Sequence, residues 1–111
     1  MNKEQLSLKL YEKMEVEQNA FKEELLTLTP EQILLKAHEY IMREDILALM
    51  EDPDILSVER CKALLKSSTP LADVYDQYLR MDCGYMDTLR TACQECADVL
   101  IRHQKQLEQG R

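Results

Sequence analysis

Apolar residues recur every three or four positions along the chain, and that period predicts five helices. The first is expected over about Lys3 to Leu26, where Leu6, Leu10, Met14, Phe21, Leu25 and Leu28 are spaced by threes, fours and one seven. Glu12, Lys13, Glu15, Lys22 and Glu23 fall mainly off that face. A new start follows at LTPEQILL. Thr29 suits an N-cap, Pro30 the first helical position, and Gln32 closes a capping box by reaching back to the Thr29 amide. This second helix, expected over about Pro30 to Met50, is apolar on two sides. Ile33, Ala37, Ile41, Leu47 and Ala48 line one, and Leu34, Ile46 and Leu49 the other, a pattern that predicts a central helix with several neighbours. Pro53 ends it, because proline disfavours helix at the residue before it, Asp52.

The third helix is short, about Ser57 to Lys66, with Ser57 as cap and Val58, Cys61, Leu64 and Leu65 inward. Thr69 and Pro70 repeat the Thr-Pro start, which is capping chemistry rather than a sign of duplication. Leu71, Val74, Tyr75 and Tyr78 then form one stripe. Gly84 marks the next break. The last helix is expected over about Tyr85 to Gln106, with Met86, Leu89, Cys93, Cys96, Leu100, His103 and Leu107 in a heptad seam. The expected fold is therefore all-α: one domain over residues 1–111, a bundle of about five helices with long first and last members and an apolar central second helix. Residues from about 107 to 111 read as a frayed tail.

Composition agrees with this pattern. Two glycines and three prolines in 111 residues suit long helices rather than a turn-rich β fold. Hydrophobic residues at 45% and charged ones at 32% describe a globular chain. The N-terminal MNKEQLSLKLYEK has neither the apolar core nor the cleavage site of a signal peptide, and no run is long enough for a membrane span. A cytoplasmic protein with free thiols is expected.

Net charge changes the picture more. At −7, the chain lacks the electrostatic term that drives nucleic-acid binding, but it suits a basic protein surface. Six acids, Glu39, Glu44, Asp45, Glu51, Asp52 and Asp54, crowd one stretch against a single base, Arg43. The segment Glu59 to Lys66 leans positive, with Arg60, Lys62 and Lys66.

The most chemical-looking stretch is CGYMDTLRTACQEC, residues 83 to 96. A zinc site needs four converging ligands, and Cys93 and Cys96 have no second C-x-x-C or H-x-x-x-H to complete them. A redox C-x-x-C belongs at a helix N-terminus, whereas this one lies in the second and third turns. Both cysteines fall in the apolar seam, so buried packing residues, closed to thiol reagents, are expected. Glu44 and Asp45 point about 100° apart and cannot converge on one ion, so with Arg43 they read as an internal charge network. His38 and His103 are isolated. No phosphate loop, H-E-x-x-H, G-x-S-x-G or EF-hand loop is present, and no enzyme activity, cofactor or metal is expected. Tyrosines number five against one phenylalanine. Tyr75 and Tyr78 suit either an interface anchor or the boundary of a core.

Several phrases in order carry a resemblance: EQ-x-x-F-K-E-x-L-L at 17–26, P-E-Q-I-L-x-x-A-x-E-Y at 30–40, R-E-D-I-L at 43–47, A-L-L-x-S-x-T-P-L-A-D-V-Y at 63–75 and G-Y-M-D at 84–87. Together they resemble an uncharacterised domain-of-unknown-function family of small proteins from Gram-positive bacteria and their mobile elements. The resemblance spans about residues 8 to 100 and carries over no catalytic residue. It implies a mobile-element context, in which accessory proteins often regulate or inhibit host systems, defence systems included.

These readings converge on a non-catalytic protein-binding accessory or regulatory protein. Its partner-binding residues are expected to be Glu39, Glu51, Asp52, Asp54, Tyr75 and Tyr78. In the sharpest version the acids occupy a basic groove in place of nucleic acid, as an anti-CRISPR-like inhibitor does. The alternatives are a structural homodimer through the first or last helix and a zinc- or redox-linked protein.

Overall fold

The computed structural model describes residues 1–110. Among them lie five helices and no strand: α1 (Lys3–Leu25), α2 (Pro30–Leu49), α3 (Val58–Leu65), α4 (Pro70–Arg80) and α5 (Tyr85–Gln109). The all-α class and the five helices are those the hydrophobic period predicts. Helix α5 runs three residues past the expected end at Gln106, with Gly110 as its C-cap. Of the expected tail at 107–111, Arg111 lies outside the described residues. The chain falls into two compact units, Met1–Arg80 and Met81–Arg111.

The helix starts follow local chemistry. Thr29 Oγ1 accepts from the Gln32 amide at 3.3 Å and Gln32 Oε1 accepts from the Thr29 amide at 3.1 Å, the expected box. Ser57 Oγ accepts from the Arg60 amide at 3.3 Å. A further box opens α1, where Asn2 and Gln5 exchange bonds of 2.8 and 3.0 Å. Gly84 takes φ +68°, a left-handed conformation that costs a residue with a side chain more than glycine, and leads directly into α5.

In the first unit, Leu6, Leu10, Met14, Leu47, Met50, Cys61 and Leu71 form one buried cluster. Val58, Leu64, Leu65 and Val74 pack against it half-buried, as their stripes predict. Helix α1 takes the central place, packing against α2, α3 and α4. This corrects the expectation that α2 is central. Helix α2 packs chiefly against α1 and α4: Leu47 is buried and Ile33, Ala37 and Ile46 are half-buried, whereas Leu34, Leu35, Ile41 and Leu49 are exposed. A two-sided apolar pattern shows what a helix can cover, and this unit covers only part of each side.

Helix α1 also fixes the corner between α3 and α4. Lys13 Nζ donates to the Leu65 carbonyl at 2.8 Å and the Ser67 carbonyl at 2.5 Å, placing a cation at the C-terminus of α3. One turn on, Glu17 accepts from the Leu71 amide at 2.7 Å and the Ala72 amide at 2.9 Å, placing an anion at the N-terminus of α4. Thr69 was the expected cap there, but its hydroxyl donates to Asp73 Oδ1 at 3.2 Å. The free amides of α4 are satisfied by Glu17 of α1 instead.

The second unit contains one helix, and no residue of α5 is buried. Cys93 and Cys96 are exposed, as is Cys83, which corrects the expectation of buried seam cysteines. A heptad seam becomes a core only against a second helix, and this unit contains none. Cys61 is the buried thiol, at 1% exposure.

Candidate functional site

Polar and charged groups of the first unit gather where α1 meets α2. At the interior stands Arg43, 7% exposed. Its Nη2 donates to Glu39 Oε2 at 2.5 Å, its Nη1 lies 4.0 Å from Glu17 Oε2, and its guanidinium sits 4.1 Å above the Phe21 ring. Two carboxylates and an aromatic face thus compensate the buried charge. The internal charge network expected at this point of α2 exists, though Arg43 makes it with Glu39 and Glu17 rather than with Glu44 and Asp45.

Gln18 fills the gap of seven between Met14 and Phe21 in the apolar stripe and is 2% exposed. Its Nε2 donates to the Tyr40 carbonyl at 3.2 Å and to Glu44 Oε1 at 3.1 Å. Two acceptors fix the orientation of the amide, and Oε1 is left buried without a hydrogen-bond partner.

Gln18 lies in the lining of a groove of about 420 Å³ between the two helices. Tyr11, Glu15 and Asn19 line it from α1. Glu44, Leu47 and Ala48 line it from α2, and Glu51 from just beyond that helix. The spacings are helical on both sides, so each helix contributes one strip. A second groove of about 430 Å³ shares Tyr11 and Glu51 and adds Glu4. Among the described residues, no lysine, arginine or histidine lines either groove. Burial first, then the charges of Glu15, Glu51 and Glu44, hold the Tyr11 phenol above its ordinary pKa.

The expected partner-binding residues separate into two groups. Glu51, Asp52 and Asp54 are exposed at the turn after α2. There Asp52 accepts from the Asp54 amide at 2.8 Å, and Asp54 pairs with Lys3 at 3.1 Å. Glu39 and Tyr75 face inward. Glu39 holds Arg43, and Tyr75 is buried, its hydroxyl 3.1 Å from His38 Nδ1. Tyr75 is therefore core rather than an accessible anchor, and burial followed by the charge of Glu39 raises its pKa. Tyr78 is half-buried on α4. Glu15 and Gln18 were missed in the sequence. The signal for Gln18 was its position, four residues after Met14 and three before Phe21.

No group of three or more histidine, cysteine, aspartate or glutamate side chains among the described residues is placed to hold a metal ion. None of their helices is long and apolar enough to cross a membrane.

Fold and groove together define a small helical protein with an acidic cleft. The chain belongs to the family described as "Protein of unknown function (DUF3848)", whose model matches residues 6–101. No curated protein and no solved structure matches it.

Proposed function

We propose that this protein is a non-catalytic binding module that docks a basic protein surface on the acidic side of its α1–α2 pair. The observation that carries the reading is the pair of adjoining grooves, which present Glu4, Glu15, Glu44 and Glu51 with no cation between them. The exposed turn extends the same charge through Glu51 and Asp52, while Asp54 beside them is paired with Lys3. Such a face steers a basic partner towards it and repels nucleic acid. In biological terms the reading is a cytoplasmic accessory or regulatory protein of mobile-element type from a Gram-positive bacterium. Its sharpest version is an anti-CRISPR-like inhibitor that occupies a basic groove in place of nucleic acid.

The test is capture of the partner from native cells by the intact chain, beside a variant with Glu51→Lys, Asp52→Lys and Asp54→Lys. The expected partner binds more weakly as salt rises, competes with nucleic acid and is lost with the variant. A partner held equally by both proteins, with unchanged salt dependence, would overturn the acidic-face reading.

A second reading rests on α5. Met86, Leu89, Cys93, Cys96, Leu100 and Leu107 are exposed in a 25-residue helix with polar Asp87, Gln94, Asp98 and Lys105 away from the seam. The occupant we propose for this seam is the α5 of a second copy. The seam is flanked by Arg90, Ala92, Ala97, Val99, Gln104 and Gln106, of which Arg90 alone is charged, so few charges stand where two helices would approach. Light scattering across a hundredfold dilution checks it, and a monomer mass throughout would remove this reading.

A further inference from the structure

Cys93 and Cys96 lie on α5 about 60° apart around the helix and about 4.5 Å apart along it. Both are exposed thiols, and both belong to the seam with Met86, Leu89, Leu100 and His103. Tetrahedral zinc, with Zn–S bonds of about 2.3 Å, holds its sulfurs about 3.8 Å apart, a spacing that two thiolates so placed can reach. They supply half of a site. Among the described residues, no group of three or more ligating side chains completes it within one chain.

The seam supplies the other half when it meets itself. A two-fold axis midway between Gln94 and Glu95 sets a second α5 antiparallel to the first. Cys93 then meets Cys96 of the second copy, Leu89 meets its Leu100, and Met86 meets its His103. Every seam position from 86 to 103 finds a seam partner in this one register, as the layers of an antiparallel pair require, and the helix dipoles run opposed. The two cysteine layers adjoin at the axis, which brings four thiols together. Ala92, Ala97 and Val99 flank those layers and let the helices approach closely. Charge matches as well. Four thiolates around a divalent ion carry a net charge of about −2, and one Arg90 from each copy, the only charged flanking residue, stands beside them.

We propose that Cys93 and Cys96 of two copies form a tetrathiolate zinc site that joins two α5 helices. This inference rests on the α5 dimer reading and deepens it, from an apolar contact to one controlled by a metal ion. Burial alone is too small to hold the pair. Met86, Leu89 and Leu100 of two copies remove on the order of 600 Å² of apolar side chain from water, about half of what the smaller stable interfaces bury. Metal ligation adds the missing free energy, because the complete site exists only in the pair.

The test is native mass spectrometry and light scattering of the reduced full chain, first with a chelator and then with one zinc ion per two chains. Zinc is expected to give a dimer that holds one ion and survives at least about a hundredfold more dilution than in chelator. Cobalt in place of zinc is expected to give the visible absorption of a tetrahedral tetrathiolate. A thiol reagent should label Cys83, Cys93 and Cys96 together in chelator, and zinc should slow the last two only. Cys93→Ser and Cys96→Ser replace exposed side chains, and each is expected to abolish the zinc-dependent dimer, whereas Cys83→Ser keeps it. A dimer equally stable in chelator and in zinc would overturn the metal site and leave the α5 dimer standing. Zinc-dependent dimerisation that persists in the chain with both Cys93→Ser and Cys96→Ser would overturn the assignment of the ligands. A monomer at every dilution, with zinc present, would remove the site and the α5 dimer together.

Discussion

Helices α1 and α5 have nearly the same length, 23 and 25 residues, and both carry apolar residues at the same three-and-four period. Helix α1 buries Leu6, Leu10, Met14, Gln18, Phe21 and Leu25, whereas α5 buries none of its residues. The period is a property of one helix, while burial belongs to a pair. The seams also differ in quality. That of α1 holds three leucines, a methionine and a phenylalanine around one glutamine, whereas two cysteines and a histidine interrupt that of α5. Smaller and more polar side chains remove less apolar surface from water, so the α5 seam yields less on packing.

The largest contrast should appear in thiol reactivity. Cys83, Cys93 and Cys96 are exposed, so they should react with a thiol reagent in the native protein, whereas Cys61 must wait for the first unit to open. With stability even at the low end of natural domains, the rates should differ by roughly a thousandfold or more. Mass spectrometry of the labelled chain counts the fast thiols. Protection of Cys93 and Cys96 alongside Cys61 would show that the α5 seam is covered.

Core truncation comes next. Leu10→Ala removes a side chain 1% exposed and should cost about 2–5 kcal/mol in urea unfolding. Leu100→Ala, at a position 53% exposed, should change stability by less than about 0.5 kcal/mol in dilute solution. An effect of Leu100→Ala that grows with protein concentration would favour the α5 dimer.

Charged groups divide the same way on a smaller scale. Glu17→Ala leaves two amides of α4 unmet and removes a carboxylate beside Arg43, with an expected loss of about 1–2 kcal/mol. Asp87→Ala in α5 removes a 3.0 Å pair with Arg90 between exposed side chains, and should cost at most a few tenths of a kcal/mol, ~0.5 or less. Equal losses from the two variants would mean that Glu17 contributes only surface charge.

The smallest effect should be a dependence on alkaline pH confined to the first unit. Tyr11 and Tyr75 have pKa values raised in the folded state. Above about pH 10, the unfolded phenols release their protons first. Folding stability is therefore complete below that pH and falls as pH rises towards the folded values. Replacing both residues by phenylalanine should flatten that decline in a series of urea melts, and an unchanged slope would assign it to other groups.

Much of this contrast was legible in the sequence on the side of local chemistry. Thr29, Pro30, Gln32 and Ser57 announced two helix starts because a cap is decided within four residues. The buried face of α1 was legible because its leucines recur on a helical turn. Long-range partners were not. Nothing near Glu17 indicates that it caps a helix beginning 53 residues later, and Thr69 offered a plausible local cap. Glu39 looked like one of six clustered acids, and only the fold of α1 over α2 brings Phe21 and Glu17 to Arg43. The acidic stretch was legible as composition. Its groove needed Tyr11, Glu15 and Gln18, supplied by a different helix.

The clasp of Lys13 and Glu17 also constrains the order in which the chain can fold. Their bonds close loops of more than fifty residues, so they form only after the intervening chain has compacted, and such distant closures slow folding. Until α1 docks, the last carbonyls of α3 and the first amides of α4 depend on water. Helix α4, at 11 residues, is too short to persist well alone. The α3–α4 corner should therefore acquire its shape late, with the first helix serving as the template on which it sets.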